Sequence, residues 1–394
     1  MSRATGRLAV YGAAAVLVRL ADEGARVVLT LLGLQRVGSA ALGGVLVAVL
    51  LVPHVLAAPV VGMLVDRSAR PAALLAGSAV LFGAALAFTA LSLGQVPVGA
   101  VVAVLLIGGC CGPALTGALS SQLAELVPAR RLTRAFGIDS LTYNIAGIAG
   151  PAVAAVLVGA TSASLATFVL GCSAALGALL ILTLPIRRPA GTSASVDPAQ
   201  LLAGVKAMSH DRVLATVTAA TSLGQLGAGA LPVILAVAAT RAHVPAQAGL
   251  LLAMIAAGGL VGSLLWTWHP ARLQRAPIVV MVGLAATGVP VLAAATAQSS
   301  LPALALLFAL AGIANGPLFG ALLSIRQNRS PVALRSQIFT LGAGAKITAT
   351  AAGAALASTL THTSINAQLA LAGTIPVIAG ALGILALRHL PRPA

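Results

Sequence analysis

The chain has 394 residues, of which 59% are hydrophobic and 8% charged, and its mean hydropathy is +1.05. A soluble protein of this length could not keep so much apolar surface from water, so water-soluble classes are excluded. The net charge of +16 is spread over short loops rather than gathered in a patch, which argues against a nucleic-acid partner.

Apolar stretches of about 20 residues or more, each able to cross a hydrocarbon core of about 30 Å, recur along the chain. They lie at 9–34, 40–65, 71–93, 96–122, 135–160, 164–185, 211–239, 245–267, 276–297, 301–325, 336–360 and 365–388. They predict an all-α membrane protein with twelve transmembrane helices. Of the 23 Lys and Arg residues, Arg36 and Arg241 fall in outer loops when the N-terminus is placed inside, and Arg19, Arg26 and Lys346 fall within spans. The other eighteen lie on the inner side. This is the positive-inside bias, with both termini cytoplasmic.

The start, "MSRATGRLAVYGAAAVLV", has the basic-then-apolar order of a signal peptide. No small-residue cleavage site follows a clean apolar core, so it reads as a retained first helix. Within that helix "LVRLADEGARVVL" (17–29) sets Arg19, Asp22, Glu23 and Arg26 at steps of three and four, which stacks them on one helical face. The chain has only seven acidic residues, and two of them stand here near the middle of a span. A charge there costs roughly 2.5–3.5 kcal/mol on insertion scales. The four charges must therefore face a cavity, pair with one another or spend time protonated. One outcome is a self-neutralised structural network. The other is a proton-coupling site, because desolvation raises a carboxyl's proton affinity and a movable arginine lowers it.

Cys110, Cys111 and Cys172 all sit in predicted spans and offer neither a disulfide framework nor metal-ligand spacing. The one long polar connection, 186–210, divides the chain into bundles 1–185 and 211–394. In it Asp197-Pro198-Ala199-Gln200 reads as an N-cap, a first-turn proline and a capping-box Gln, followed by a short amphipathic helix through about Ser209 on the cytoplasmic face.

The two halves repeat with an offset of 203 residues. "FGIDSLTYNIAGIAGPAVA" (136–154) falls on "FTLGAGAKITATAAGAALA" (339–357), Pro128 on Pro331, and "LADEGA" (20–25) on "LGQLGA" (223–228); "GPALTGAL" (112–119) matches "GPLFGALL" (316–323) with one gap. Parallel six-helix repeats imply two bundles around a central cavity with alternating access. At the repeat positions of Arg19, Asp22 and Arg26 stand Ser222, Gln225 and Gly229. The fold therefore does not require the charges, and something asymmetric is expected of the first half.

Between the second and third spans, "GMLVDRSARP" (62–71) resembles the Gly-x-Leu-x-Asp-Arg-x-Gly-Arg-Arg loop signature of the major facilitator superfamily. Gly62, Leu64, Asp66, Arg67 and Arg70 match; Ala69 and Pro71 depart from it. Asp66 can sit at a helix N-terminus, where the dipole favours an anion. The resemblance implies a latch holding the outward-facing state, in which Arg67 and Arg70 bind carboxylates, with Glu125 as candidate partner. A second, partial resemblance is to the span-five glycine pattern of the superfamily's drug-exporting antiporters: Gly137, Gly150 and Pro151 fit, while Ala146, Ala154 and Ala155 replace glycines. The span-four arginine that these antiporters often carry is missing from "LLIGGCCGPALTG".

The resemblance implies that spans five and eleven line the cavity. It nominates Asp139, Tyr143, Asn144 and Lys346, the lone lysine within a span, as substrate contacts, together with Gln225. Asp22 resembles the acid of a Gly-Asp pair in span one of related exporters, so it is preferred over Glu23 as the titrating group, with Arg19 and Arg26 as its modulators. The expectation is a secondary transporter of a bacterial inner membrane, monomeric, exporting a small organic molecule by alternating access in exchange for protons. Import of a sugar or other nutrient stays open, as does, more remotely, a non-transporting receptor. No nucleophile–base set, phosphate loop or metal-ligand spacing is present, so neither an enzyme nor a cofactor is expected.

Overall fold

Twelve long helices and one short one follow one another in the computed structural model, which describes residues 3–187, 201–244, 246–297, 300–360 and 362–388. They are α1 (Arg3–Val37), α2 (Ala40–Arg67), α3 (Pro71–Ser92), α4 (Val98–Ser121), α5 (Leu132–Ala160) and α6 (Ala163–Leu182). After the linker come α7 (Ala203–His210), α8 (Arg212–Arg241), α9 (Ala246–Trp268), α10 (Ala276–Ala294), α11 (Leu301–Arg329), α12 (Arg335–Thr359) and α13 (Ile365–Arg388). The described residues contain no strand, only an isolated bridge between Leu93 and Val96.

Local chemistry sets the helix ends. Ser39 caps α2 by accepting from the Leu42 amide at 3.1 Å, and Ser162 caps α6 by accepting from Leu165 at 3.2 Å. Pro71 opens α3, where its missing N–H costs nothing. Asp211 caps α8, accepting from the Val213 and Leu214 amides, both at 2.9 Å. Between α1 and α2 the chain reverses at Gly38, whose φ of +70° strains any residue with a Cβ. The expected cap at Asp197–Gln200 lies outside the described residues, whereas the short linker helix stands at α7.

Ten helices among the described residues are long and apolar enough to cross a membrane. The two other long ones are α1, with its four mid-helix charges, and α12, with Lys346 and many small polar residues. At 35 and 25 residues, both exceed the roughly 20 that a bilayer needs.

The chain forms two compact units. One holds Met1–Leu132, Thr142–Lys206 and Ser330–Gly344; the other holds Thr133–Leu141, Ala207–Arg329 and Ala345–Ala394. In the first, α1 packs on α2 and α6, α3 on α6 and α4, and α2 on α4. In the second, α8 packs on α9 and α13, α10 on α13 and α11, and α9 on α11. The pairing scheme is the same in both. So are its details: Pro128 and Pro331, the pair expected from the repeat, each cap a 3₁₀ turn (Ala129–Arg131, Val332–Leu334) that leads into α5 and α12.

Close backbone approach sustains these pairs where no large hydrophobic effect acts between lipid-embedded helices. A Cβ on Gly109 of α4 would strike the Leu50 carbonyl of α2, and one on its repeat mate Gly312 of α11 would strike the Ile255 carbonyl of α9. Overpacking of this kind costs typically 1–3 kcal/mol. Gly109→Val and Gly312→Val should therefore each lower the thermal unfolding midpoint in detergent, whereas Gly77→Val, with open space around it, should leave it nearly unchanged. Equal midpoints for all three variants would contradict this packing.

Candidate functional site: buried charges of the first unit and the contact of α2 with α12

Most of the polar groups of interest lie in the first unit. On α1, Asp22 is 2% exposed, and its Oδ2 accepts from Arg26 Nη2 at 3.1 Å. Glu23 Oε2 pairs with Arg26 Nη1 at 2.8 Å. One guanidinium thus serves two carboxylates through helical spacings of four and three. Asp22 Oδ1 is buried with no hydrogen-bond partner. An unpartnered buried oxygen of this kind is costly as part of a carboxylate and much less so when it bears a proton.

Arg19 stands one turn earlier on α1. It is 1% exposed, donates to Thr142 Oγ1 of α5 and, at 2.9 Å, to Ser120 Oγ of α4, and lies 3.6 Å from the centroid of the Tyr143 ring. Hydroxyls and a ring face thus hold this cation, and Ser120 Oγ also meets Tyr143 Oη at 3.3 Å. The spacing on α1 had allowed Arg19 to pair with either acid. Arg26 forks both acids, and Arg19 joins α1, α4 and α5. Gly150 makes room for this junction, because a Cβ there would press on Gly24 N at 2.8 Å and Glu23 Cβ at 2.9 Å. The next residue, Pro151, is half-buried within α5.

At the loop end of α2, Asp66 Oδ1 accepts from the Ser336 amide at 2.8 Å and Oδ2 from the Gln337 amide at 3.0 Å. These are first-turn amides of α12, so the carboxylate sits on the positive end of that helix. One turn back, Gly62 lies against Gln337 Cα and the Thr340 side chain, where no Cβ fits. One further turn back, the Ala58 carbonyl accepts from Thr340 Oγ1 at 2.6 Å. The motif's Gly and Asp are therefore two rungs of one contact between α2 and the start of α12.

Other residues complete the clamp. Ser336 Oγ meets Ser121 Oγ at 2.8 Å and accepts from Gln122 Nε2 at 3.1 Å. Gln337 Oε1 accepts from the Gly204 amide of α7 at 2.9 Å, and its Nε2 donates to the Leu201 carbonyl. Arg67 is half-buried and Arg70 exposed. Glu125, expected to answer them, is exposed and close enough to Arg335 to act on its charge, as does Asp66. Among these residues, Ser336, Gln337, Ser121 and Gln122 were not singled out in the sequence. The run Ser120-Ser121-Gln122 at the end of an otherwise apolar span was the available signal.

In the second unit, Gln225 Oε1 accepts from Thr350 Oγ1 at 3.3 Å, and Thr350 also donates to the Lys346 carbonyl at 2.9 Å. Lys346 is half-buried, with Nζ 4.6 Å from the centroid of the Phe319 ring. Asp139, fully buried, and Gly137 lie in the α5 segment of this unit. There Gly137 rests against Thr267, and Ser140 Oγ meets Ser263 Oγ at 3.0 Å. Asn144 is half-buried on the α5 segment of the first unit. No group of His, Cys, Asp and Glu able to hold a metal ion occurs among the described residues.

The family model of the Major Facilitator Superfamily matches residues 11–342, and the chain belongs to that superfamily of membrane transporters. It is 28% identical over 375 residues, 93% of this chain and 91% of the relative, to the uncharacterized MFS-type transporter y4rN of Sinorhizobium fredii (strain NBRC 101917 / NGR234). Its fold is similar to the human organic anion transporter MFSD10 (TM-score 0.77, 16% identity, 97% of this chain and 100% of that one). It is similar too to the proton:xylose symporter XylE (TM-score 0.72, 15% identity, 98% and 96%) and to a bacterial homologue of the iron transporter ferroportin in an outward-facing state (TM-score 0.75, 15% identity, 99% and 100%). As a superfamily member it is a transporter and not an enzyme.

The two bonds to Asp66 generate a direct test. Asp66→Asn keeps the shape but removes the anion and turns one acceptor into a donor facing an amide. Hydrogen bonds to a charged group are worth about 1.5–3 kcal/mol, so amide exchange at Ser336 and Gln337 should accelerate by about tenfold or more, and transport should be lost while the protein stays folded. Unchanged exchange at both amides would remove this clamp.

Proposed function

We propose that this transporter exports a small organic molecule in exchange for protons, by alternating access between two six-helix bundles, 1–185 and 211–394. The observation that carries the reading is the fork of Asp22, Glu23 and Arg26, with one carboxylate oxygen of Asp22 buried and unpartnered. The equivalent place in the second repeat holds neutral Gln225, bonded to Thr350. A fold that closes without charge at one repeat has no structural need of it at the other, and a partly satisfied buried carboxylate is poised to take up a proton. Asp22 is the proton-binding group, Arg26 the counter-charge released when it is protonated, and Arg19 the link from this site to α4 and α5.

The clamp at Asp66, with Gly62, Arg67, Arg70 and Glu125, holds the inner ends together in one state and parts in the other. Tyr143, Asn144, Asp139, Gln225 and Lys346 are the substrate-facing set, and Gly137, Gly150 and Pro151 let α5 pack closely while it moves. Export is favoured over import by the partial span-five glycine pattern. The protein works as a monomer in a bacterial inner membrane with both termini in the cytoplasm.

The test is made in proteoliposomes with a pH dye trapped inside. A panel of organic anions, cations and neutral compounds is added with and without a proton gradient. Wild type should move protons when a transported compound is added. Asp22→Asn or Glu23→Gln should lose gradient-driven flux by about tenfold or more while keeping compound exchange without a gradient. A purely structural fork predicts instead that either variant leaves Arg26 inadequately paired and melts early, with Arg26→Gln restoring it; loss of a buried partner costs about 3–5 kcal/mol. Stable variants of both acids with full gradient-driven flux would sink the coupling reading. Separately, Lys346→Met should weaken binding of an acidic panel compound by about tenfold; unchanged affinity and unchanged pH profile would take Lys346 out of the substrate site.

A further inference from the structure

Toward its inner end α4 stops being a regular helix. Ala114–Ala118 forms a π-helical turn directly after Pro113, and the Leu119 amide donates to the Ala114 carbonyl, five residues back. Such a turn holds one residue more than an α turn, and π turns recur at functional sites. This one is closely seated. The ring of His54 of α2 fills the space that a Cβ on Gly112 would need, with Nε2 3.4 Å from Thr116 Oγ1. A Cβ on Gly117 would strike the Phe339 carbonyl of α12.

The three polar residues that follow, Ser120, Ser121 and Gln122, are all buried. They divide their bonds between two places. Ser120 Oγ accepts from Arg19 Nη2 at 2.9 Å and meets Tyr143 Oη at 3.3 Å. Ser121 Oγ meets Ser336 Oγ at 2.8 Å, and Gln122 Nε2 donates to that same oxygen at 3.1 Å. Ser336 is also the residue whose amide binds Asp66. All of these groups lie in the first unit.

One short piece of backbone therefore holds the junction of α1 and α5 by one residue and the start of α12 by the next two. Neighbouring residues on a helix are fixed to each other by about 100° of rotation and about 1.5 Å of rise. Ser120 cannot swing away from Arg19 without drawing Ser121 from Ser336. The π turn supplies the second arrangement. When its extra residue is absorbed into regular α geometry, Leu119 bonds to Leu115 instead of Ala114, and the end of α4 turns and slides by about one residue. Coupling between two sites needs such a two-state element, one whose balance both sites bias.

We propose that the end of α4 is the linkage by which a movement of Arg19 or Tyr143 reaches the α2–α12 contact. The π turn is its pivot, and Ser120, Ser121 and Gln122 are its positioning residues. In one register Ser120 holds Arg19 and Tyr143, while Ser121 and Gln122 hold Ser336 with its amide toward Asp66. In the other register the three side chains leave these partners together, and the Ser336 amide is no longer held in place. The inference rests on reading the α2–α12 contact as the part that opens during transport.

The test follows amide exchange in the full chain in lipid nanodiscs. Ser120→Ala removes no bond to α12, and Tyr143→Phe removes the hydroxyl that meets Ser120. Each should nevertheless accelerate exchange at Ser336 and Gln337 by about three- to tenfold, the effect of losing one ordinary hydrogen bond. The two together should accelerate it no further than Ser120→Ala alone, since both act through one oxygen. Exchange at Leu119, whose amide closes the π turn, should rise alongside. Ser173→Ala, which frees the Leu17 carbonyl of α1 from a hydroxyl on α6, should leave all three amides unchanged. Linkage runs both ways, so Asp66→Asn should shift the ring signal of Tyr143, assigned by its loss in Tyr143→Phe. Wild-type exchange at Ser336 in Ser120→Ala, equal acceleration in Ser173→Ala, or a Leu119 amide that stays protected would each overturn the proposal. If Asp66→Asn accelerates exchange at Ser336 and Ser120→Ala does not, the linkage alone is refuted. If Asp66→Asn leaves that exchange unchanged, the reading of the contact fails, and the proposal fails with it.

Discussion

An ion moved from water into an apolar interior loses several kcal/mol of hydration that only a partner, a hydrogen bond or a proton restores. That constraint arranges the polar side chains of this protein. Arg26 bridges two carboxylates on its own helix, and Arg19 is held by two hydroxyls and a tyrosine ring. Asp66 takes two backbone amides at the start of α12. Asp22 Oδ1 and Asp139 Oδ2 are buried carboxyl oxygens without a hydrogen bond.

The two repeats show what the fold requires and what has been added to it. Both units pair their helices by the same scheme, and both place a proline-capped 3₁₀ turn before the helices α5 and α12. Neither scheme needs charge at the α1 position, since Gln225 and Thr350 serve in the second repeat. The Asp66 clamp is asymmetric in the same sense: an offset of 203 from Asp66 leads to His269, which is exposed. The added charges fall on α1 and on the loop end of α2, both packed in the first unit.

The helices were legible because each apolar run is long and bounded by Gly, Pro or basic loops, and the periodic spacing on α1 placed Asp22, Glu23 and Arg26 together correctly. Spacing along one helix says nothing about a neighbouring helix, so the turn of Arg19 toward Ser120 and Thr142 could not be read from it. The same limit hid Ser336 and Gln337, whose backbone amides, rather than their side chains, hold Asp66; an amide carries no residue-type signal. Glu125 was nominated as the partner of Arg67 and Arg70 from its charge and its place at the end of span four, and it lies close enough to Arg335 to act on its charge.

Proton binding by the fork can be measured without knowing the substrate. Purified wild type and the double variant Asp22→Asn with Glu23→Gln are titrated side by side in weakly buffered detergent solution, and the protons bound by each are counted between about pH 9 and pH 4. If the fork binds the coupling proton, wild type takes up about one proton more than the double variant over that range. Identical uptake by two equally folded proteins would mean that neither carboxyl changes its protonation over that range, and the account of coupling at α1 would be wrong.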